Sequence, residues 1–174
     1  LVIVGQSGTD STCLISVFVL RIDTLGNIKK LDFYQDPTLS DDVLLNHFSY
    51  QALTITPDNG IIIAGSMFTR NNLYILQLDS TLELEYFKEF DSEFKSRFVT
   101  RMLKYENAYY TLGLVQKSDL DPAIFVHKVD LLGNFIWEKT YGSSMLLENA
   151  ESAIIENGGI TILSEEWFDP SHTE

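Results

Sequence analysis

Cysteine is almost missing from this 174-residue chain: Cys13 stands alone, so no internal disulfide can form and the redox compartment stays open. Cations are few as well, 12 Lys and Arg against 25 Asp and Glu, for a formal charge of −13. That balance excludes nucleic-acid recognition, which needs clustered cations, and argues against docking on an anionic bilayer. No uninterrupted apolar run reaches ~18 residues, so no membrane insertion is expected. The histidines His47, His127 and His172 are scattered, and no His-Glu-x-x-His or Cys/His grouping offers zinc a site. No Gly-x-Ser-x-Gly nucleophile motif occurs. Gly5-Gln6-Ser7-Gly8 follows a strand but precedes no helix, which speaks against a phosphate-cradling loop. At the ends, Leu1–Val4 reads as a strand in progress, and residues 169–174 carry neither cap nor closing strand. With no charged and apolar leader in view, the expectation is a segment of something longer.

What is present is apolar material in a repeating order. Apolar residues make up 45% of the chain and charged ones 21%, a composition that packs one well-buried domain. Three segments align. The first joins Leu1-Val2-Ile3-Val4-Gly5 to Val17-Phe18-Val19-Leu20-Arg21-Ile22-Asp23; the second joins Ile61-Ile62-Ile63-Ala64-Gly65 to Leu73-Tyr74-Ile75-Leu76-Gln77-Leu78-Asp79. The third joins Tyr109-Tyr110-Thr111-Leu112-Gly113 to Ile124-Phe125-Val126-His127-Lys128-Val129-Asp130, and a fourth opens at Ile160-Thr161-Ile162-Leu163 with Ser164 in place of glycine. A period of about 50 residues with four short strands is the size of one propeller blade. Columns of the repeat are apolar on both strand faces, as in a sheet sandwiched between neighbouring sheets; only Arg21, Gln77 and Lys128 form a polar column.

Turn chemistry divides the segments. Asp23-Thr24-Leu25-Gly26-Asn27 and Asp130-Leu131-Leu132-Gly133-Asn134 place Gly where a left-handed backbone is wanted, followed by strands Ile28–Tyr34, Leu84–Phe90 and Phe135–Tyr141. Further strands at Tyr50–Thr56, Phe98–Tyr105 and Ser152–Ile155 lead into hairpins at 57–60, 106–108 and 156–159. Helical periodicity is weak, with one turn at most over Asp41–Phe48. The expectation is an all-β chain of thirteen strands: a β-propeller segment of about three blades, each a four-stranded antiparallel sheet, with repeats near 1–47, 48–97, 98–147 and, in part, 148–174.

The third copy, Ile124 through Asp130-Leu131-Leu132-Gly133-Asn134, then Trp137, Lys139 and Tyr141-Gly142, resembles the repeat of bacterial secreted and cell-surface β-propellers. The second copy departs from it, with Leu82-Glu83 for Gly-Asn and Tyr86 for Trp, and the first has Lys30 at the Trp position. The resemblance implies an extracellular or cell-surface location and a non-catalytic scaffold or recognition module that binds protein or glycan through its loop face. Aspartate, glycine and tryptophan in this order are also similar to the docking motif of quinoprotein propellers, though a single Trp and no metal-site pattern accompany it. The alternative is therefore part of an enzymatic propeller, a glycan lyase, hydrolase or quinoprotein, whose active site lies mostly outside this segment.

Candidate residues fall into two groups. The repeated Asp23, Asp79 and Asp130, with Gly26 and Gly133, suit strand-end turns in which Asp accepts its own turn amides; three copies on separate blades cannot converge on one ion. The acidic loops hold Asp36, Asp41 and Asp42, then Asp91 and Glu93, then Asp119 and Asp121, which would share the loop face where propellers bind ligands. Such oxygen-rich loops suit calcium, but none has the Asp-x-Asp-x-Asp-Gly spacing, and a solvated acidic rim is the competing reading. No catalytic residue or other cofactor is assigned. His127 occupies a column otherwise filled by Leu20 and Leu76 and reads as a core histidine with one satisfied nitrogen. Trp167 and Phe168 read as packing rather than as a sugar platform.

Overall fold

Alternation of apolar faces and tight turns produces antiparallel sheets in chain order. The computed structural model describes residues 1–8, 15–34, 45–46, 52–67, 71–91, 93–94, 96–116, 122–142 and 147–167. The first sheet holds β1 (Val2–Gly8), β2 (Ile15–Ile22) and β3 (Ile28–Tyr34). In the second, β4 (Leu45–Asn46) and β5 (Leu53–Ile55) both pair with β6 (Ile61–Met67), which continues to β7 (Leu73–Leu78) and β8 (Leu84–Phe90). The third runs β9 (Ser96–Tyr105), β10 (Ala108–Gln116), β11 (Pro122–Asp130) and β12 (Phe135–Tyr141); the fourth has β13 (Leu147–Glu156) and β14 (Gly159–Trp167). The chain is thus all-β, with four antiparallel sheets, and none of them closes on itself. Among the described residues fourteen strands stand where thirteen were expected: the strand anticipated at Tyr50–Thr56 is β5, and the additional one is the two-residue β4 ahead of it. Leu45–Asn46 is strand rather than part of a helical turn; the rest of Asp41–Leu44, with Cys13, lies outside the described residues.

Both faces of the inner strands are buried, which is why their sequence does not alternate. Ile61, Ile63, Tyr74, Leu76 and Leu78 pack with Val4, Val17 and Val19 of the first sheet. Ile62, Ala64, Leu73 and Ile75, on the opposite face, pack with Val99, Tyr109, Phe125 and Val129 of the third. The pattern steps on once more: Tyr110, Leu112 and Val126 meet Ala153, Ile160 and Ile162 of the fourth. The same register positions thus face forward in each sheet. At the fourth sheet the forward face is bare, with Ile154 54% and Leu163 65% exposed.

Three glycines of the repeat serve a purpose inside their own sheet. Gly5, Gly65 and Gly113 stand directly opposite Phe18, Tyr74 and Phe125 on the neighbouring strand. Each ring lies over its glycine: a Cβ on Gly5 or Gly65 would come to 2.5 Å from a ring carbon of Phe18 or Tyr74, and on Gly113 to 2.9 Å from Phe125. A large side chain covers the missing one, and the pair buries as a unit.

At the strand end the turn forms alike in three sheets. Asp23 Oδ1 accepts the amides of Leu25 and Asn27, Asp79 Oδ1 those of Thr81 and Glu83, and Asp130 Oδ1 those of Leu132 and Asn134, all at 2.7–2.9 Å. The Asn27 amide, with Lys29 beside it, holds the Asp23 carboxyl down to about 2. The third turn residue is left-handed in every copy, Gly26 at φ 84°, Leu82 at 68° and Gly133 at 72°. Leu82 departs from the expected glycine and is buried between the first two sheets, so side-chain burial offsets the backbone strain. The polar column finds partners within the protein: Arg21 donates to the Ser80 carbonyl, Gln77 bonds Glu85 and the Tyr86 hydroxyl, and Lys128 lies 5.0 Å from the Tyr110 ring centroid.

Gly65→Ala would force the Tyr74 ring from its seat. We expect about 1–3 kcal/mol of destabilisation in urea unfolding, the range for overpacking a filled core.

Candidate functional site

A cleft of about 450 Å³ lies between the end of β8 with residues 91, 93 and 94 and the strands of the third sheet. Glu89, Phe90, Asp91, Glu93 and Phe94 form one wall; Arg97 of β9, His127 of β11, and Phe135 and Glu138 of β12 form the other. Asp91 and Glu93, expected as loop-face ligands, are brought together here and both are exposed. Asp36, Asp41, Asp42, Asp119 and Asp121 lie outside the described residues, as does Phe168. Asp23, Asp79 and Asp130, with Gly26 and Gly133, are held in the strand-end turns, away from this cleft's walls.

The floor of the cleft is a buried charge group. His127 and Glu138 are cross-strand partners, and His127 Nδ1 lies 2.8 Å from Glu138 Oε2. Arg97 closes a bidentate fork on the same carboxylate, Nη1 to Oε2 at 3.0 Å and Nη2 to Oε1 at 2.9 Å. Its guanidinium carbon sits 5.1 Å from the Phe125 ring centroid and 5.3 Å from that of Phe94. The Arg97 side chain is 1% exposed, that of His127 1% and that of Glu138 19%. Phe90 and Phe135 flank the imidazole, with centroids 4.6 and 5.3 Å from its own. His127 Nε2 is buried and makes no hydrogen bond.

Electrostatics follow from this packing. Burial pulls the Arg97 guanidinium below its ordinary value, and Glu138 opposes that pull. Burial alone would raise the Glu138 carboxyl, but the hydrogen bond from His127 and the charge of Arg97 outweigh it and leave the group low. The exposed carboxylates of Asp91 and Glu93 make the rim of the cleft acidic. Asn72 donates to Glu89 at 2.6 Å and to Asp91 at 3.3 Å, which orders part of that wall. Among the described residues no three His, Cys, Asp or Glu side chains are grouped to hold a metal ion.

Arg97 and Glu138 were not anticipated, yet Glu138 had a signal. Its equivalents are Leu31 and Phe87, and those of His127 are Leu20 and Leu76; the registers pair Leu20 with Leu31 and Leu76 with Phe87. One apolar cross-strand pair has become His-Glu as a unit. Gly5-Gln6-Ser7-Gly8 lies within β1, paired along β2, and is not a loop. Comparison of the sequence with protein-family models and with curated proteins gives no match.

Glu138→Gln should cost about 3 kcal/mol by removing the buried carboxylate that Arg97 and His127 share. Because the folded carboxyl titrates below 4.5, its contribution is full above that pH and is lost as pH falls through the lower folded value. Acid unfolding curves should therefore be shallower for Glu138→Gln than for the parent chain.

Proposed function

We propose that this chain is a segment of a bacterial secreted or cell-surface β-propeller, its four sheets successive blades, and that it acts as a non-catalytic recognition module. Supporting the blade reading are the forward-facing register positions shared by consecutive sheets and the common Asp turn. The observation that carries the recognition reading is the cleft that joins exposed carboxylates to aromatic faces: Asp91 and Glu93 stand beside Phe90, Phe94 and Phe135. Carboxylates and ring faces together favour an ammonium or guanidinium group, and Arg97 already occupies such surroundings on the floor. The partner is thus a protein that presents a Lys or Arg side chain. A glycan would use the ring faces without needing the charge.

The enzymatic reading has one observation on its side, an imidazole oriented by a carboxylate with Nε2 unbonded. Against it, that nitrogen is buried, and among the described residues no Ser, Thr or Cys lines the cleft.

The reading predicts saturable binding of a short Arg-containing peptide, weakened roughly tenfold by Asp91→Asn with Glu93→Gln and weakened further by salt. The paired control, Glu106→Gln with Glu156→Gln on exposed turns elsewhere, removes the same charge and should leave affinity unchanged. Equal weakening by both pairs would mean nonspecific attraction to an acidic protein, and neutral-glycan binding insensitive to Asp91 and Glu93 would assign the cleft to sugar.

A further inference from the structure

β5, β9 and β13 each turn back into the next strand through a short tip that carries asparagine, and the three tips are built differently. After β5 the tip is Pro57-Asp58-Asn59, closed by Thr56 and Gly60, with the Thr56 amide donating to the Gly60 carbonyl at 3.1 Å. After β9 it is Glu106-Asn107, between the paired Tyr105 and Ala108, and after β13 it is Asn157-Gly158, between the paired Glu156 and Gly159. Two of the tips thus hold Asn-Gly. Asparagine is chemically labile, and a following glycine leaves no Cβ to shield its side chain from the next backbone nitrogen.

The two Asn-Gly pairs stand in opposite surroundings. Gly60 is buried, and a Cβ there would come to 2.8 Å from the Thr56 hydroxyl and 3.2 Å from the Asp79 carbonyl carbon. The Thr56 hydroxyl and the Gly60 amide both donate to the Asp58 carboxylate. Attack by the Gly60 nitrogen requires that amide to lose its proton, and the carboxylate beside it opposes the negative charge that would result. The Asn59 amide is itself bonded to the Thr56 carbonyl at 3.1 Å. This pair is clamped.

Asn157 and Gly158 are exposed, as are Glu156 and Gly159 on either side. Among the described residues, a Cβ on Gly158 would meet only the Tyr105 hydroxyl, at 3.7 Å. Asn157 at φ 48° and Gly158 at φ 79° are both left-handed, and strand pairing closes outside them, which leaves the peptide between them free to rotate. Glu106 and Asn107 take the same place in the third sheet, where four strands are present, and are exposed too. The exposure therefore belongs to the hairpin tip and not to an uncovered edge. In that sheet the residue after asparagine is Ala108, buried and paired with Asp130 on its other side.

We infer that Asn157-Gly158 is a site of spontaneous covalent modification, whose product is an isoaspartate at the tip of the β13–β14 hairpin. The Gly158 nitrogen gives up its proton and attacks the side-chain carbonyl carbon of Asn157. The new carbon–nitrogen bond closes a succinimide, and the bond to Nδ2 breaks with release of ammonia, which carries the proton away. Water then opens the ring. Attack at the former side-chain carbon leaves aspartate; attack at the backbone carbonyl leaves isoaspartate, with the chain running through the side chain. Either product adds a negative charge, and isoaspartate lengthens the backbone of a two-residue tip, so the pairing of Glu156 with Gly159 loosens. The site stands apart from the walls of the acidic cleft, and its failure would leave that reading untouched.

The test ages the 174-residue protein in mildly alkaline buffer at body temperature and follows both Asn-Gly pairs by peptide mapping and mass spectrometry. Amide loss at Asn157 should run about tenfold ahead of that at Asn59, and the two rates should converge in protein aged unfolded in guanidinium chloride. Aged folded protein should also accept methyl groups from S-adenosylmethionine through an isoaspartate-specific carboxyl methyltransferase. Asn157→Gly, which suits the left-handed backbone, should remove most of that acceptance, with far-ultraviolet circular dichroism showing the variant folded. Equal rates at the two pairs in the folded protein, faster loss at Asn59, or a difference that persists in the unfolded chain would overturn the proposal. So would methyl acceptance undiminished by Asn157→Gly.

Discussion

Burial of both faces of the inner strands is the constraint from which the rest of this structure follows. Ile62 and Ile63 are adjacent in β6 and point to opposite sides, and both are fully buried. A sheet can bury both faces only if a neighbour lies on each side. The first and third sheets supply those neighbours for the second, and every sheet repeats the requirement. A stack built this way leaves apolar surface at its ends, seen at Leu31 and Phe33 on one side and at Ile154 and Leu163 on the other.

The aspartate turn converts that general greasiness into a fixed register. A carboxylate that accepts two amides of its own turn shapes the loop, and the shaped loop offers a carbonyl and a side-chain oxygen to a lysine on the preceding sheet. Apolar packing sets which faces meet, while Lys30 and Lys88 set how far one sheet slides along the next. The trade between turn and strand, Leu82 with Lys30 and Gly133 with Tyr86, shows that the turn and the strand it meets vary together.

Much of the fold was legible because its signals are local. Strands Ile28–Tyr34, Leu84–Phe90 and Phe135–Tyr141 each follow a turn that opens on Asp, and their limits match the structure. The short strand β4 at Leu45–Asn46 was not legible, since no hairpin signal or alternation marks it in the sequence. The departures from the repeat look like noise in sequence and become chemistry in space: Leu82 is a core residue, and His127 with Glu138 replaces an apolar pair. Arg97 has no column signal at all. Its role comes from reaching across the third sheet to a carboxylate on the opposite edge strand, a meeting that spacing along the chain does not encode.

The acidic cleft lies where β8 and the third sheet meet, and its walls depend on consecutive sheets covering one another. The most direct test of that premise is the urea stability of Ile62→Ala, Ile63→Ala and Leu163→Ala measured side by side. Both isoleucine changes should cost about 2–5 kcal/mol and the leucine change no more than about 0.5 kcal/mol. A near-neutral result for either isoleucine would mean that one face of the second sheet is open to water, which contradicts the account.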